Sequence, residues 1–253
     1  DWSHSLMRSS SQGYQGYRDQ NPLVRRLIGI LLFLLVLFSA HLVLSRLIVR
    51  SALQGSESMQ PTLAVGDRML AVPLIYGPRL PGVGLVLPGF SQPARGDIVL
   101  VRPGFLSPSG PGRTLLDSVV QFFSLQRRDL GPTDLEHSNH VVKRVIGLPG
   151  DTVRMERFTA FVRPAGEATF VNEFTLAARP YQIGDRARPS AWQAEDPFGS
   201  SHEQVTLSED EYFVLSDDRS GGTDSRHWGA VTAEALLARV WFRYWPFDRA
   251  GSL

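Results

Sequence analysis

A long apolar run near the start of the chain limits most strongly what this sequence can fold into. The run covers residues 27–44 and is interrupted only by Gly29, Ser39, Ala40 and His41. As an α-helix it would extend about 27 Å, close to the roughly 30 Å hydrocarbon core of a bilayer. With its extension to Val49, the run predicts a transmembrane helix over residues 27–49.

Two other interpretations of the run are weaker. A cleavable signal peptide would be followed by a small-x-small site, and no clear one follows here. A helix buried in a soluble protein is uncommon at this length. Four arginines precede the run and two follow it: Arg8, Arg18, Arg25 and Arg26, then Arg46 and Arg50. This excess predicts a cytoplasmic tail over residues 1–26, with the large C-terminal part outside the cytoplasm.

Composition excludes several classes of function. The net charge of +1 leaves no basic footprint for nucleic acid. Cysteine is absent, so disulfides, thiolate nucleophiles and cysteine metal sites are excluded. His137 and His140 have no third ligand at a convincing spacing, and we expect neither a metal nor a cofactor. The 23 glycines and 17 prolines favour a β-rich fold with many turns.

Lys143 is the only lysine in the chain, although lysine and arginine together number 26. A guanidinium keeps its proton in a protein, whereas a desolvated ammonium can lose one. A single lysine among so many arginines therefore indicates a site that needs a neutral amine, which is a base. The alternative is that Lys143 is an ordinary surface charge.

The pattern around Lys143 favours the first interpretation. Residues 140–147 alternate and are rich in β-branched side chains, which predicts a strand that places Val141, Lys143 and Val145 on one face. If that face is buried, desolvation lowers the lysine pKa from about 10.4 toward neutrality. Pro149 and Gly150 then fit the centre of a type II turn.

The rest of the chain predicts a mainly β fold that follows the membrane helix. Further strands are expected at residues 68–71, 95–101, 158–162, 169–174, 207–215 and 240–247, with a helical turn at 233–238. Residues 103–138 are expected to be an insertion. Residues 158–204 are expected to form a small second β unit or cap.

Four segments together resemble the motifs of bacterial type I signal peptidases: residues 56–63, 95–99, 143–151 and 216–229. They occur in the family's order after a membrane span, and the resemblance covers roughly residues 55–247. It implies an extracytoplasmic serine protease domain of antiparallel β fold over residues 55–250. Such an enzyme cuts signal peptides from exported proteins at the outer face of the cytoplasmic membrane.

The resemblance also implies roles for individual residues. By position, Ser58 matches the nucleophile and Lys143 the general base that a serine hydroxyl needs. Ser56 matches the residue whose hydroxyl forms the oxyanion hole with the Ser58 backbone N–H. Asp224 and Arg226 match an ion pair that shapes the site.

Several positions depart from the family pattern. Glu57 stands where the family usually has a small residue, and the last motif begins Ser216-Asp217-Asp218 where the family often has Gly-Asp-Asn. The serine that orients the family's lysine aligns with Gly222. The adjacent Thr223 is therefore expected to supply that hydroxyl, if the loop shifts by one residue.

The implied substrate is the extended segment that follows a membrane-inserted signal peptide, bound by adding to a strand edge. By resemblance, small residues occupy the first and third positions before the cut, and the lipid bilayer is a further partner. The aromatic residues 241–247 and the apolar residues 73–90 suit either core packing or the lipid interface. Core packing is expected for Phe242 and Tyr244.

Two other functions remain open. The first is a self-cleaving serine/lysine regulatory protease, which the membrane span and the absence of a DNA-binding segment disfavour. The second is a catalytically inactive, membrane-anchored β-domain, which Gly222 and Glu57 would explain.

Overall fold

The computed structural model describes residues 22–77, 87–104, 119–120, 140–184 and 201–253. The expected insertion at 103–138 and the middle of the apolar 73–90 segment lie largely outside these residues. The chain separates into two compact units, Asp1–Ala40 and His41–Leu253.

The described part of the first unit is helical. Helix α1 (Pro22–Leu47) begins before the expected residue 27 and continues beyond this unit. Its apolar side chains are largely exposed, with Leu31 and Val36 each 67% accessible. The Ser39 hydroxyl donates to the Leu35 carbonyl at 2.8 Å, which satisfies it within the helix. Among the described residues, only Pro22–Leu44 forms a helix long and apolar enough to cross a membrane.

The second unit is built mainly from strands, and its described residues include two short α-helices. The strands are β1 (Arg50–Leu53), β2 (Arg68–Val72), β3 (Ile98–Val101), β4 (Val141–Gly147), β5 (Thr152–Glu156), β6 (Thr159–Arg163), β7 (Val171–Asn172), β8 (His202–Thr206), β9 (Glu211–Leu215), β10 (Val231–Thr232), β11 (Leu236–Trp245) and β12 (Gly251–Ser252). The helices are α2 (Glu173–Leu176) and α3 (Ser225–Trp228).

These strands form two antiparallel sheets. The larger sheet runs β1-β2-β11-β3-β4-β9-β10, with β12 paired to β11, and the smaller runs β7-β6-β5-β8. Every strand pair in both sheets is antiparallel. The expected class, mainly β and antiparallel with a smaller β unit and one N-terminal apolar helix, is therefore confirmed.

The centre of the larger sheet is buried on both faces. In β3, Ile98 and Leu100 belong to one apolar cluster, whereas Val99 and Val101 belong to another. Strand β4 is buried at every position. Both faces are buried because consecutive residues of these strands are mostly apolar, and alternate side chains of a strand point to opposite faces. A third cluster, which includes Ile146 and Phe213, joins the larger sheet to the smaller one.

The turn after β4 has the expected features. Gly150 has a φ of +79°, and the Asp151 N–H donates to the Leu148 carbonyl at 3.0 Å. Such a positive φ is the reason that glycine suits the third position of a type II turn.

Two expected elements are wrong in part. The strand expected at 169–174 is limited to β7, because the Asn172 side chain accepts the Phe174 N–H at 2.9 Å and starts α2. The helical turn expected at 233–238 covers only Ala233–Ala235, and β11 begins at Leu236. Strands β1, β5, β8, β10 and β12 were not anticipated.

The aromatic residues at the end of β11 differ in exposure. Phe242 and Tyr244 are half-buried, and the Tyr244 hydroxyl lies 2.9 Å from Ser51 Oγ. Trp241 and Trp245 are 50% and 44% exposed. This pattern agrees with packing for the first pair and leaves the lipid interpretation open for the tryptophans.

We expect Gly147→Ala to destabilise the fold by about 1–3 kcal/mol through overpacking. A Cβ at Gly147 would lie 2.7 Å from Leu207 Cδ1 and 2.7 Å from Val153 Cγ2. Denaturant unfolding of the full chain in detergent, followed by tryptophan fluorescence, measures the loss. Gly251→Ala is the matched control, because no heavy atom lies within 4 Å of its Cβ position. Equal midpoints for both variants would contradict the packing described for β4.

Candidate active site

Ser58 lies in a short 3-10 turn, Glu57–Met59, that is anchored in the core. Met59 and Leu63 are fully buried, and the Leu63 N–H donates to the Met59 carbonyl at 2.8 Å. The Ser58 carbonyl accepts the Asp218 N–H at 2.9 Å. These contacts fix the backbone of Ser58 and leave 8% of the residue exposed.

Lys143 points from the middle of β4 to two hydroxyl groups. Its Nζ lies 3.2 Å from Ser58 Oγ and 2.9 Å from Ser216 Oγ, and only 1% of the residue is exposed. Val141 and Val145, which strand alternation places on the same face of β4 as Lys143, are buried as well.

The surroundings of Lys143 lower its pKa. Burial, which disfavours the ammonium form, is the largest cause, and the Arg226 charge acts in the same direction. The carboxylates of Asp224, Asp217 and Asp218 oppose it, and the resulting pKa is about 8. The neutral form of this amine is therefore more abundant near physiological pH than it is for an ordinary lysine.

Ser216 supplies the hydroxyl that was expected from Thr223. Thr223 lines the same pocket, but in the described part of the chain Lys143 makes no hydrogen bond to it. A Cβ at Gly222 would lie 2.1 Å from Ser216 Oγ and 2.5 Å from Ser216 Cβ. The Ser216 side chain thus occupies the space that a side chain at Gly222 would need. Gly222 lacks the expected serine and Ser216 replaces a common glycine, so the two differences from the family pattern compensate each other.

Ser56 lies on the other side of Ser58. The two hydroxyl oxygens are 3.0 Å apart, and the Gln54 side-chain amide donates to the Ser56 carbonyl at 2.7 Å. A pocket opens beside them, lined by Ser56, Glu57, Ser58, Lys143, Asp218, Gly221, Gly222 and Thr223. Glu57 is exposed and lies at this pocket without separating Ser58 from Lys143.

Asp224 and Arg226 form the expected ion pair inside the 216–229 loop. Arg226 Nε and Nη2 each lie 2.8 Å from an Asp224 carboxylate oxygen, and the Ser216 N–H donates to Asp224 at 2.9 Å. Burial opposes ionisation of this carboxylate, but hydrogen bonds from His227 and Arg226 hold the pKa of Asp224 well below its usual range. The pair therefore fixes the backbone of the residue that contacts Lys143.

A second buried ion pair was not assigned from the sequence. Arg144, next to Lys143 on β4, donates to both Asp217 oxygens at 2.7 and 2.6 Å. The sequence offered one signal for this ion pair. Arg144 is a charged residue within the apolar strand β4, and strand alternation directs its side chain to the face opposite Lys143.

The arrangement suits nucleophilic chemistry. It combines a hydroxyl, an amine of lowered pKa within hydrogen-bond distance and a neighbouring hydroxyl donor, which are the parts of an activated nucleophile. Within the described ranges, no group of three or more histidine and acidic side chains could hold a metal ion.

Comparisons with known proteins point to one family. The family model described as signal peptidase, peptidase S26, matches residues 24–245. A probable signal peptidase I-2 of Synechocystis sp. is 28% identical over 199 residues, which are 78% of this chain and 64% of that protein. A signal peptidase I of Pseudomonas fluorescens is 30% identical over 240 residues, which are 84% of this chain and 71% of that protein.

A solved signal peptidase I of Enterococcus faecalis aligns with a TM-score of 0.30 and 17% identity. The alignment covers 59% of this chain and 97% of that one. A likeness this loose adds nothing to the assignment.

We expect Gly222→Ala to destabilise the protein by about 1–3 kcal/mol, because the new Cβ overlaps Ser216. The double variant Gly222→Ala with Ser216→Gly should recover most of this loss, since both close contacts with Ser216 disappear. Thermal unfolding of the two single variants and the double variant measures the coupling, expected at about 0.5–3 kcal/mol. Strictly additive effects would show that the two positions do not share this space.

Proposed function

Because the chain belongs to the signal peptidase S26 family, we propose that it is a membrane-bound serine endopeptidase that removes signal peptides from exported preproteins. One observation carries the residue assignment. A buried amine lies 3.2 Å from a serine hydroxyl and 2.9 Å from a second one. Ser58 is then the nucleophile and neutral Lys143 the general base.

The hydrogen bonds around Lys143 support its role as a base. A neutral amine has two N–H donors and one lone pair. If one N–H is donated to Ser216 Oγ, the lone pair is available to accept the Ser58 proton. The Ser58 oxygen then attacks the scissile carbonyl carbon, and the ammonium returns its proton to the leaving amine. Water, activated by the same amine, hydrolyses the acyl-enzyme.

We assign stabilisation of the oxyanion to the Ser56 hydroxyl and the Ser58 backbone N–H. The negative charge that develops on the carbonyl oxygen needs preorganised donors, each worth about 2.7–4 kcal/mol in known enzymes. Ser56 Oγ lies 3.0 Å from Ser58 Oγ, so a short rotation brings its hydroxyl to a carbonyl bound at the nucleophile.

The substrate is an extended segment with small residues at the first and third positions before the cut. Most of the pocket beside Ser58 is lined by small side chains, among them Ser56, Gly221, Gly222 and Thr223. Such a lining suits small side chains near the cleavage site. Helix α1 is proposed as the membrane anchor, with residues 1–26 in the cytoplasm and the protease domain on the outer face.

The direct test combines the purified full chain, in detergent, with a preprotein that carries a signal peptide. Cleavage at a single bond, located by N-terminal sequencing of the product, is the expected result. A fragment released from the protein itself, with the preprotein intact, would indicate a self-cleaving regulator. An intact preprotein at every pH would indicate an inactive module.

Lys143→Arg should lower kcat by at least about 100-fold, although it conserves the positive charge. The guanidinium keeps its proton and cannot accept one from Ser58. Steady-state cleavage assays measure the loss, and circular dichroism establishes that the variant is folded. Substantial residual turnover in a folded variant would rule out proton transfer to Lys143.

The pH profile should have an acid limb set by Lys143. Burial lowers the pKa of Lys143 from 10.5 to about 8, so the base is protonated and inactive below that pH. We therefore expect kcat/KM to rise with pH through about 8 and to fall about tenfold per pH unit well below it. A flat profile between pH 5 and 8 would argue against lysine as the base.

A further inference from the structure

The smaller sheet reaches the 216–229 loop through a buried ion pair. Arg219 of this loop is fully buried, and its Nη1 and Nη2 donate to the two Glu173 carboxylate oxygens at 3.0 and 2.7 Å. Arg219 Nη1 also donates to the Phe158 carbonyl at 3.2 Å. A guanidinium held by a forked pair has little freedom to move, because both its position and its plane are fixed.

Glu173 is itself held firmly by the smaller sheet. It begins α2 immediately after β7, and its side chain is 1% exposed. The Ala160 N–H of β6 donates to one carboxylate oxygen at 2.7 Å, and the Tyr181 hydroxyl donates to the other. Because the smaller sheet holds the Glu173 carboxylate in place, it also fixes the position of Arg219.

Neighbouring contacts act on the same stretch of the loop. The Gly184 N–H donates to the Asp217 carbonyl at 2.9 Å, and the Arg219 N–H donates to the Gly184 carbonyl at 3.2 Å. The Arg144 guanidinium, which binds Asp217, lies 4.0 Å from the centre of the Tyr181 ring. Residues 217–219, directly after Ser216, are thus held by the segment that follows α2.

We propose that Glu173 is a positioning residue: through Arg219 it holds the 216–229 loop so that Ser216 stays against Lys143. The proposal rests on the proposed function, because it assigns to the smaller sheet a part in aligning the Ser58–Lys143 pair. Glu173 has no contact with the reacting groups and acts only through the loop.

The proposal predicts a direction for the pH dependence. The charges that act on Lys143 are those of Asp224, Arg226, Asp217 and Asp218. If the loop loosens, Ser216 leaves Lys143 and water reaches the amine, which removes the desolvation that lowers the lysine pKa. The acid limb of kcat/KM then moves to higher pH.

The decisive variant is Glu173→Gln, which keeps the shape of the side chain and removes its charge. We expect kcat to fall between about tenfold and 100-fold, as small misplacements of reacting groups do. We also expect KM to stay within about twofold and the acid limb to move upward. Glu173→Asp, which restores the charge on a shorter side chain, should recover part of kcat.

Asp67→Asn is the matched control for loss of stability. Asp67 is also fully buried, and it pairs with Arg243 of β11 and with Arg249 of the turn that follows this strand. We expect both variants to melt at lower temperature and only Glu173→Gln to move the acid limb. If Glu173→Gln melts at a lower temperature but keeps the wild-type kcat and the wild-type acid limb of the pH profile, Glu173 is only structural and the proposal is overturned.

Two further outcomes are distinguishable. If Glu173→Gln does not fold, Arg219→Lys decides, because lysine keeps the charge but cannot make the forked pair. Arg219→Lys must lower kcat and move the acid limb of kcat/KM to higher pH, and wild-type values for both would overturn the proposal. If the wild-type protein cleaves no preprotein, the proposed function fails whatever these variants do.

Discussion

The burial of one amine between two serine hydroxyls is the interaction on which the rest of the site depends. An ammonium group in a dry environment is costly, so a buried lysine responds by losing its proton more easily. Three carboxylates favour the charged form of Lys143, and burial still dominates. Two of these carboxylates, Asp217 and Asp224, are already bound by arginines, which limits their effect on the amine.

The same fold that buries the amine also positions its partners. Strand β4 is buried on both faces at the centre of the larger sheet, so Lys143 enters the site from a rigid element. Ser58 and Ser216 come from loops that need additional restraint. Buried Met59 and Leu63 restrain the first, and the Asp224 and Asp217 ion pairs restrain the second. We infer that Glu173 completes this restraint from the smaller sheet.

The sequence predicted the parts of the structure that have a local signal. A nearly uninterrupted apolar run located α1, and alternation located β4. The single lysine indicated a residue that lies within hydrogen-bond distance of Ser58 and Ser216. Strand β8 escaped because its residues are mostly polar and none of them is buried, which leaves little alternation to detect. The strand expected at 169–174 was cut short by the Asn172 cap, a side-chain contact that competes with strand propensity.

Long-range contacts explain the rest of what the sequence missed. Gly222 stands where the resemblance calls for a serine, but the loop brings Ser216 into the same space. The Glu173–Arg219 pair joins two sheets and leaves no pattern in either segment. Such pairs become visible only when the chain is folded, because neither residue is unusual where it stands in the sequence.

The protonation state of Lys143 can be measured directly, because it is the only lysine in the chain. Labelling with lysine that carries ¹⁵N at the ζ position gives a single side-chain signal, whose shift can be followed by NMR as a function of pH. The account predicts a transition at about 8, well below the ordinary 10.5. A transition at or above the ordinary pKa would show that the site does not favour the neutral amine and would contradict the account.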